Sequence, residues 1–318
     1  MINLVITGAL GHIGSRFIRE LPADLINHVV LLDNLSTQRY PALFDLPRDI
    51  SFVFHDADVC TADLDQHFAN ADVVVHLAAI TNAEGSFAIR DQIEHTNFIG
   101  TQKVAEACAR NGCKLVFIST TSVYGSQRNL VDEDCPLAEL QPQSPYAESK
   151  LRAEQLLQKE GEVNDLQYVI CRFGTIFGAS VGMRFHTAIN KFIWHACMGQ
   201  PLTVWRTAMD QQRPYLELGD AVRSLEFIIR NAIFPKCVYN ILTLNTTVRS
   251  IVDIIESYVP NTTVEYVDSP IMNQLSYNVS NSRFCELGFH FDGSLEQGIY
   301  ETVNLIEPAM RHQEYVLK

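Results

Sequence analysis

Tyr146-Ala-Glu-Ser-Lys150 places a phenol and an ammonium four residues apart. On a helix, positions i and i+4 share a face, so both groups point the same way. A free tyrosine ionises near pH 10 and is a poor base at neutral pH. A nearby cation favours the phenolate and lowers that value. The pair could therefore serve as a general base that removes a hydroxyl proton. A second group of hydroxyls stands in Ile118-Ser-Thr-Thr-Ser-Val-Tyr-Gly125, an apolar run ending in a turn. Hydroxyls so placed cap, turn or take part in chemistry. A third cluster, Gly8-Ala-Leu-Gly11-His12-Ile13-Gly14, follows an apolar run directly. Glycines there allow a tight turn and let the backbone approach a pyrophosphate. Each signal is weak alone: Tyr/Lys pairs recur by chance on amphipathic helices, and any strand-turn-helix can use glycine.

Periodicity identifies the elements that must hold these groups. "INLVIT", "HVVLLD", "ISFVFHD", "DVVVHLA" and "KLVFIST" read as buried parallel strands. Helical patterns lie near 12–21, 62–70 and 86–111. After a loop at 121–144, a long helix begins at Pro145, which suits a first turn, and Gly161 suits its end. "QYVICRFG" reads as a sixth strand. This alternation predicts an α/β fold with a doubly wound parallel sheet. Beyond about residue 174, helices near 187–199, 219–231 and 247–258 mix with short strands, which predicts a smaller C-terminal α/β lobe on the substrate side. There is no internal repeat and no low-complexity segment.

In this frame the carboxylate ending the second strand, Asp33, is placed to accept from adenosine ribose hydroxyls. It would repel a 2′-phosphate, so NAD is expected rather than NADP. Asp58, with Val59 beside it, either meets the adenine or caps a strand end. The 318 residues are 47% apolar and 19% charged, enough to bury a sizeable core. A net charge of −13 argues against a nucleic-acid partner. The eight cysteines form no CxxC pair or Cys/His cluster, so neither a metal site nor a disulfide framework is expected. The start lacks a signal-peptide pattern, and no apolar run approaches the ~20 residues that span a bilayer. A cytoplasmic location and no membrane partner are the expectation.

Taken together, the motifs resemble a family. The glycine pattern at 8–14, Asp33-Asn34-Leu35, His76-Leu77-Ala78-Ala79, Thr96-Asn97 through Thr101, Ser119-Thr120 through Gly125, and Tyr146-xxx-Lys150 occur in order. So do "CRFGTIFG", "QQRPYLELGDAVRSL" and "SRFCELGFHF" further on. The set resembles the extended short-chain dehydrogenase/reductase family, in its UDP-glucose 4-epimerase-like, nucleotide-sugar epimerase/dehydratase branch. The resemblance implies a Rossmann-type NAD-binding domain over 1–173 and a substrate lobe over 174–318, with segments exchanged between them. It implies that His12 and Ile13 meet the pyrophosphate through their amides. Leu77, Ala78 and Ala79 would line the NAD pocket, and Asn34 and Asn97 would belong to the cofactor site. Asn97 would also order the active-site segment; a plain buried asparagine is the alternative. Lys150 would tune Tyr146 and hold the nicotinamide ribose. Thr120 would hydrogen-bond the reacting hydroxyl. Arg213 resembles the arginine that binds the nucleotide diphosphate, with a surface ion pair as the alternative, and Arg184 could also serve. A homodimer built on the Tyr146 helix and the helix ending near Arg110 is the family expectation.

Family members share an opening oxidation of the sugar at C4, and the 4-keto sugar then has several fates. Dehydratases carry Asp-Glu after the Thr120 position, and decarboxylases usually carry Glu at the second place. Here Thr121 and Ser122 stand there. Neither can supply acid or base near neutral pH as a carboxylate can. Epimerisation at C4 of a nucleotide-diphosphate sugar is therefore the expected reaction. Net oxidoreduction, and less so dehydration, decarboxylation or a non-catalytic NAD-sensing role, are the alternatives. Two departures bear on the sugar: Thr175 replaces an asparagine frequent in "RxxNVYG", and Thr81 replaces the lysine of galactose-type epimerases. Asn82 and Glu84 either read sugar hydroxyls or sit in a solvated loop.

Overall fold

The computed structural model describes residues 1–83, 85–126, 130–268 and 276–310; Glu84 lies outside the described residues. The large sheet contains β1 (Ile2–Thr7), β2 (Ile26–Asp33), β3 (Ser51–Asp56), β4 (Val73–His76) and β5 (Lys114–Thr120). After the short β6 (Leu130–Val131), β7 (Tyr168–Phe173) joins it, and later so does β11 (Cys237–Ile241). Their order is β11-β7-β5-β4-β1-β2-β3, and every pairing is parallel. The five expected strands and the sixth are present. Residues 237–241 add a further strand, drawn from the part of the chain beyond residue 174. The order reverses between β1 and β4, and ligands of such sheets bind in the crevice there, beyond the strands' carboxyl ends.

The sheet is covered on both faces. α1 (His12–Phe17), α7 (Leu218–Arg230) and α9 (Ser282–Cys285) bury one side. α2 (Leu64–Phe68), α4 (Gly100–Asn111) and α5 (Pro145–Val163) bury the other. α1 is shorter than the helix expected over 12–21. The helix expected over 86–111 is broken: α3 (Arg90–Ile93) passes through a π-helix at Glu94–Ile99 into α4. A π-turn bulges the backbone and often marks a functional position. This one carries Asn97, whose side chain is fully buried.

Gly161 does not end α5. The helix runs to Val163, and a Cβ on Gly161 would lie 2.7 Å from the Tyr168 ring. Its glycine serves close packing on β7, which a capping rule cannot anticipate. The start is as expected: Ser144 accepts from the Ala147 N–H at 3.2 Å and Pro145 opens the helix.

The remaining strands are β8 (Thr175–Phe177), β9 (Leu202–Trp205), β10 (Gln212–Glu217), β12 (Leu244–Thr247), β13 (Val264–Val267) and β14 (Asn278–Val279). They form the sheets β12-β10-β8, β13-β9 and β14-β6. With α6 (Ala188–Cys197), α8 (Val248–Tyr258) and α10 (Leu295–Met310), the first two sheets enclose a second apolar core around Ile193, Tyr215 and Ile251, while β14-β6 packs with Val123, Tyr124 and Tyr277. Among the described residues, no helix is long and apolar enough to cross a membrane.

Beneath the reactive segment lies a buried ion pair. Arg172 on β7 and Glu154 on α5 meet at 2.6 Å, with side chains only 6% and 2% exposed. Ser119 donates a further hydrogen bond to Glu154, and the guanidinium stacks over Tyr124 at 4.9 Å. Removing one partner of such a pair leaves an uncompensated buried charge and typically costs about 3–5 kcal/mol. Glu154→Gln is expected to lower unfolding free energy on that scale, measured by urea denaturation at pH 7. A loss under 1 kcal/mol would mean that the pair is solvated.

Candidate active site

The crevice at the switch point opens into a cavity of about 690 Å³ that reaches the second lobe. Its floor is the turn after β1. Gly8 has φ +66°, and a Cβ there would lie 2.6 Å from the Ala78 backbone nitrogen. A Cβ on Gly14 would fall 2.4 Å from the Ala9 carbonyl oxygen. Only glycine allows the β1 turn and the segment after β4 to come this close. Gly8, Gly11, His12, Ile13 and Gly14 all line the cavity, as do Leu77, Ala78 and Ala79 on the facing segment.

At one end stand two carboxylates. Asp33, ending β2, accepts from the N–H groups of Leu10 at 3.1 Å and Leu35 at 3.0 Å. Asp58 accepts from the Cys60 N–H at 2.8 Å and the Asn34 amide at 3.0 Å. Burial would raise the Asp58 pKa, but these hydrogen bonds outweigh it and hold the group ionised. Asp33, Asn34, Asp58 and Val59 line this end. Asn97 is not among the lining residues. It accepts from the Ile80 N–H at 2.8 Å and donates to the Ile80 carbonyl at 2.9 Å, so it fixes the lining segment after β4 from behind.

The Tyr/Lys pair lies in the middle, where α5 crosses the end of β5. Lys150 is buried; it donates to the Ile118 carbonyl at 2.8 Å and sits 4.7 Å over the Phe117 ring. Burial lowers its pKa to about 7, against the opposing field of Glu154. Burial likewise raises the Tyr146 pKa, while Arg184 and a hydrogen bond with Thr120 pull it down. Thr120 accepts from the Ser122 N–H at 3.1 Å, which leaves its hydroxyl proton for the tyrosine oxygen. Thr121 is buried and donates to the Phe173 carbonyl at 3.3 Å. His76 behind the pair bridges the hydroxyls of Thr7 and Thr101 at 2.7 and 3.0 Å. Burial, then Lys150, holds its pKa near 3, so it stays neutral.

The cavity also carries basic groups despite the acidic chain. Arg184, Arg213, His186 and Lys191 line it with Thr175, and Arg39 lies in the field of Asp33. Arg213 donates to Gln211 at 3.2 Å. Arg184 donates to Thr81, and Asn82 stands nearby on the lining. The Arg184 Nε is buried without a partner among the described residues. Burial and Arg39 lower its pKa to about 10, still well above neutrality. Nothing in the sequence singles out Arg39, His186, Lys191 or Tyr277. They come from three separate segments, His186 and Lys191 sharing one, with no local pattern in common. The Tyr277 phenol hydrogen-bonds Thr121 and Ser122, which gives those two hydroxyls a structural partner.

These features fit a dinucleotide. A glycine cradle that any Cβ would fill, two carboxylates at strand ends and a buried Tyr/Lys pair stand in line along one crevice. Fold and site together define a Rossmann-type dinucleotide-dependent enzyme. The model of the NAD dependent epimerase/dehydratase family matches residues 4–241, and the chain belongs to that family. Its cofactor is NAD. The chain is 28% identical over 323 residues to a trifunctional UDP-glucose 4,6-dehydratase/UDP-4-keto-6-deoxy-D-glucose 3,5-epimerase/UDP-4-keto-L-rhamnose-reductase of Arabidopsis thaliana. That match covers 95% of this chain and 46% of the plant protein, so the chain spans about half the length of such relatives. Among solved structures, a UDP-glucuronic acid 4-epimerase of Bacillus cereus, bound to UDP-4-deoxy-4-fluoro-glucuronic acid and NAD, superposes with a TM-score of 0.89. It is 25% identical, over 97% of this chain and 100% of that one. A UDP-N-acetylglucosamine 4-epimerase of Methanobrevibacter ruminantium gives 0.86 at 26% identity, over 97% and 99%.

Proposed function

We propose that the chain is an NAD-dependent epimerase acting at C4 of a nucleotide-diphosphate sugar. Tyr146 takes the proton of the C4 hydroxyl as the C4 hydride leaves; once the 4-keto sugar has turned over, the hydride returns to the opposite face of C4 and Tyr146 returns the proton to the C4 oxygen. Thr120 donates to the phenol oxygen and steadies its anionic form. Lys150, on the same face of α5 as Tyr146 and gripped by the Ile118 carbonyl, would hold the nicotinamide ribose. Bound NAD supplies a reversible hydride acceptor. Gly8 to Gly14 and Leu77 to Ala79 would hold its pyrophosphate and nicotinamide portions, and Asp33 and Asp58 its adenosine.

One observation carries the choice among the family's reactions. The carboxylates among the described lining residues are Asp33 and Asp58, both at the adenosine end. Beside Tyr146 stand hydroxyls and an arginine. Elimination of water from the sugar needs further acid and base groups near the reacting carbons, and hydroxyls supply these poorly. Oxidation followed by hydride return needs Tyr146 alone as proton carrier.

Arg184 supports a narrower reading. A guanidinium with an unpartnered donor beside the base favours a sugar with an anionic substituent, such as a uronic acid. The similar Bacillus cereus epimerase binds such a sugar. Arg184→Ala is expected to raise KM for UDP-glucuronic acid about tenfold to a hundredfold, the range of a lost charged hydrogen bond. KM for UDP-glucose should move far less. Initial rates with both sugars check this; equal losses would remove the acid-reading role.

A further inference from the structure

The segment between β8 and α6 is fastened to the first turn of α1. Ser180 shares a 2.8 Å hydrogen bond with the His12 imidazole. The Gly182 N–H donates to the Ser15 hydroxyl at 2.9 Å. Arg16 reaches the Ala179 carbonyl at 3.4 Å. Gly182 lies so close that a Cβ would be 2.5 Å from the carbonyl oxygens of both Leu10 and Gly11. Those oxygens belong to backbone, which cannot move aside as a side chain would. At its far end, the segment is tied to α6 by the buried Asn190, which accepts from the Gly178 N–H at 3.2 Å and donates to the Arg184 carbonyl at 3.2 Å. Two ties therefore bracket Arg184, one on the glycine turn and one on the second lobe.

The His12 side chain has no role in the proton chemistry proposed above. Its backbone lies in the cofactor cradle while its ring turns toward Ser180, buried with Nε2 unpartnered among the described residues. Burial, then Arg184, holds its pKa near 3, so the ring is a neutral tether at working pH.

We infer that Ser180 and Gly182 are positioning residues. They strap the 178–184 segment to the glycine turn, so that the surface holding the dinucleotide also sets where Arg184 stands beside Tyr146. Dinucleotide and sugar sites then share one rigid part, and loosening it weakens both. Because binding couplings are reciprocal, NAD should tighten the sugar site by the factor by which the sugar tightens NAD.

The inference rests on the reading of Arg184 as a sugar contact, and its test separates the two. Binding of UDP-glucuronic acid is measured on the NAD-loaded chain for wild type, Ser180→Ala, Arg184→Ala and the double variant. Ser180→Ala is expected to weaken binding about tenfold, the worth of one hydrogen bond. It should add almost nothing once Arg184→Ala is present, because the two act through one contact. Ser180→Thr, which keeps the hydroxyl, should restore binding. Gly182→Ala should weaken sugar binding further and speed release of NAD. Val181→Ala, at a residue 52% exposed, should change neither. Losses that add in the double variant, or wild-type binding by Ser180→Ala when Arg184→Ala binds weakly, would overturn the inference. If Arg184→Ala binds as wild type, the acid-reading role fails instead. NAD release then decides the strap alone: faster release from Ser180→Ala and Gly182→Ala keeps its tie to the cofactor turn, and unchanged release removes it.

Discussion

Tyr146→Phe is expected to lower turnover by about 10²–10⁴, the usual contribution of a positioned acid-base group, while the chain stays folded and keeps NAD. The phenol lines the middle of the cavity. Burial leaves its pKa above the ordinary value, though Arg184 and Thr120 pull it down. Phenylalanine fills the same space and removes the oxygen alone. The lost Thr120 hydrogen bond should cost about 1 kcal/mol of stability. The effect should therefore fall on kcat, with sugar affinity nearly preserved. Turnover followed by proton NMR, with NAD content and a thermal melt as controls, checks the split. Activity within tenfold of wild type would assign the proton to another group.

Lys150→Met should be inactive and also more stable at neutral pH. In the folded chain the ammonium is buried and its pKa falls from 10.5 to about 7. Between those values the unfolded chain holds a proton that the folded chain has released. Stability therefore rises with pH across this window, and the full penalty is present below about pH 7. The penalty is on the order of a few kcal/mol. Methionine removes it but leaves the Ile118 carbonyl without its donor, which costs about 1–3 kcal/mol. A net gain of about 1–2 kcal/mol at pH 7 is expected by that difference, shrinking as pH approaches 10. Urea unfolding of both proteins after NAD removal, at pH 7 and pH 9, reads it directly. A variant less stable at pH 7 than at pH 9, relative to wild type, would carry the opposite sign and contradict the account. Loss of activity with a gain in stability is the signature of a group held in place for chemistry.

Local patterns in the sequence made the strand ends legible. β1, β2, β4 and β5 are apolar runs with a glycine turn, Asp33, Leu77 and Thr120 at their ends. The Tyr146/Lys150 pair follows from helical spacing, and the structure places both on one face of α5 above β5. What escaped depended on approach between distant segments. The strand at 237–241 is five residues long and carries no turn signal that ties it to the large sheet. The π-helix around Asn97 leaves the apolar periodicity nearly unchanged, so the pattern over 86–111 resembles an unbroken helix. Gly161 and Gly182 are glycines for space, against Tyr168 and the α1 turn, and neither demand is written in the neighbouring sequence. In sequence Arg184 reads only as a second diphosphate ligand; its tie to Thr81 and its nearness to Tyr146 arise from folding alone.

If Tyr146 and bound NAD oxidise C4 reversibly, the sugar released is changed only in configuration. The most direct test incubates the NAD-loaded chain with UDP-glucuronic acid and with UDP-glucose, UDP-N-acetylglucosamine and dTDP-glucose. Proton NMR follows the sugar, and absorbance follows reduced cofactor. A C4 epimer of at least one of these sugars, foremost UDP-glucuronic acid, is expected, with no net accumulation of NADH. A 4-keto-6-deoxy product, release of carbon dioxide, or stoichiometric NADH without an epimer would contradict it.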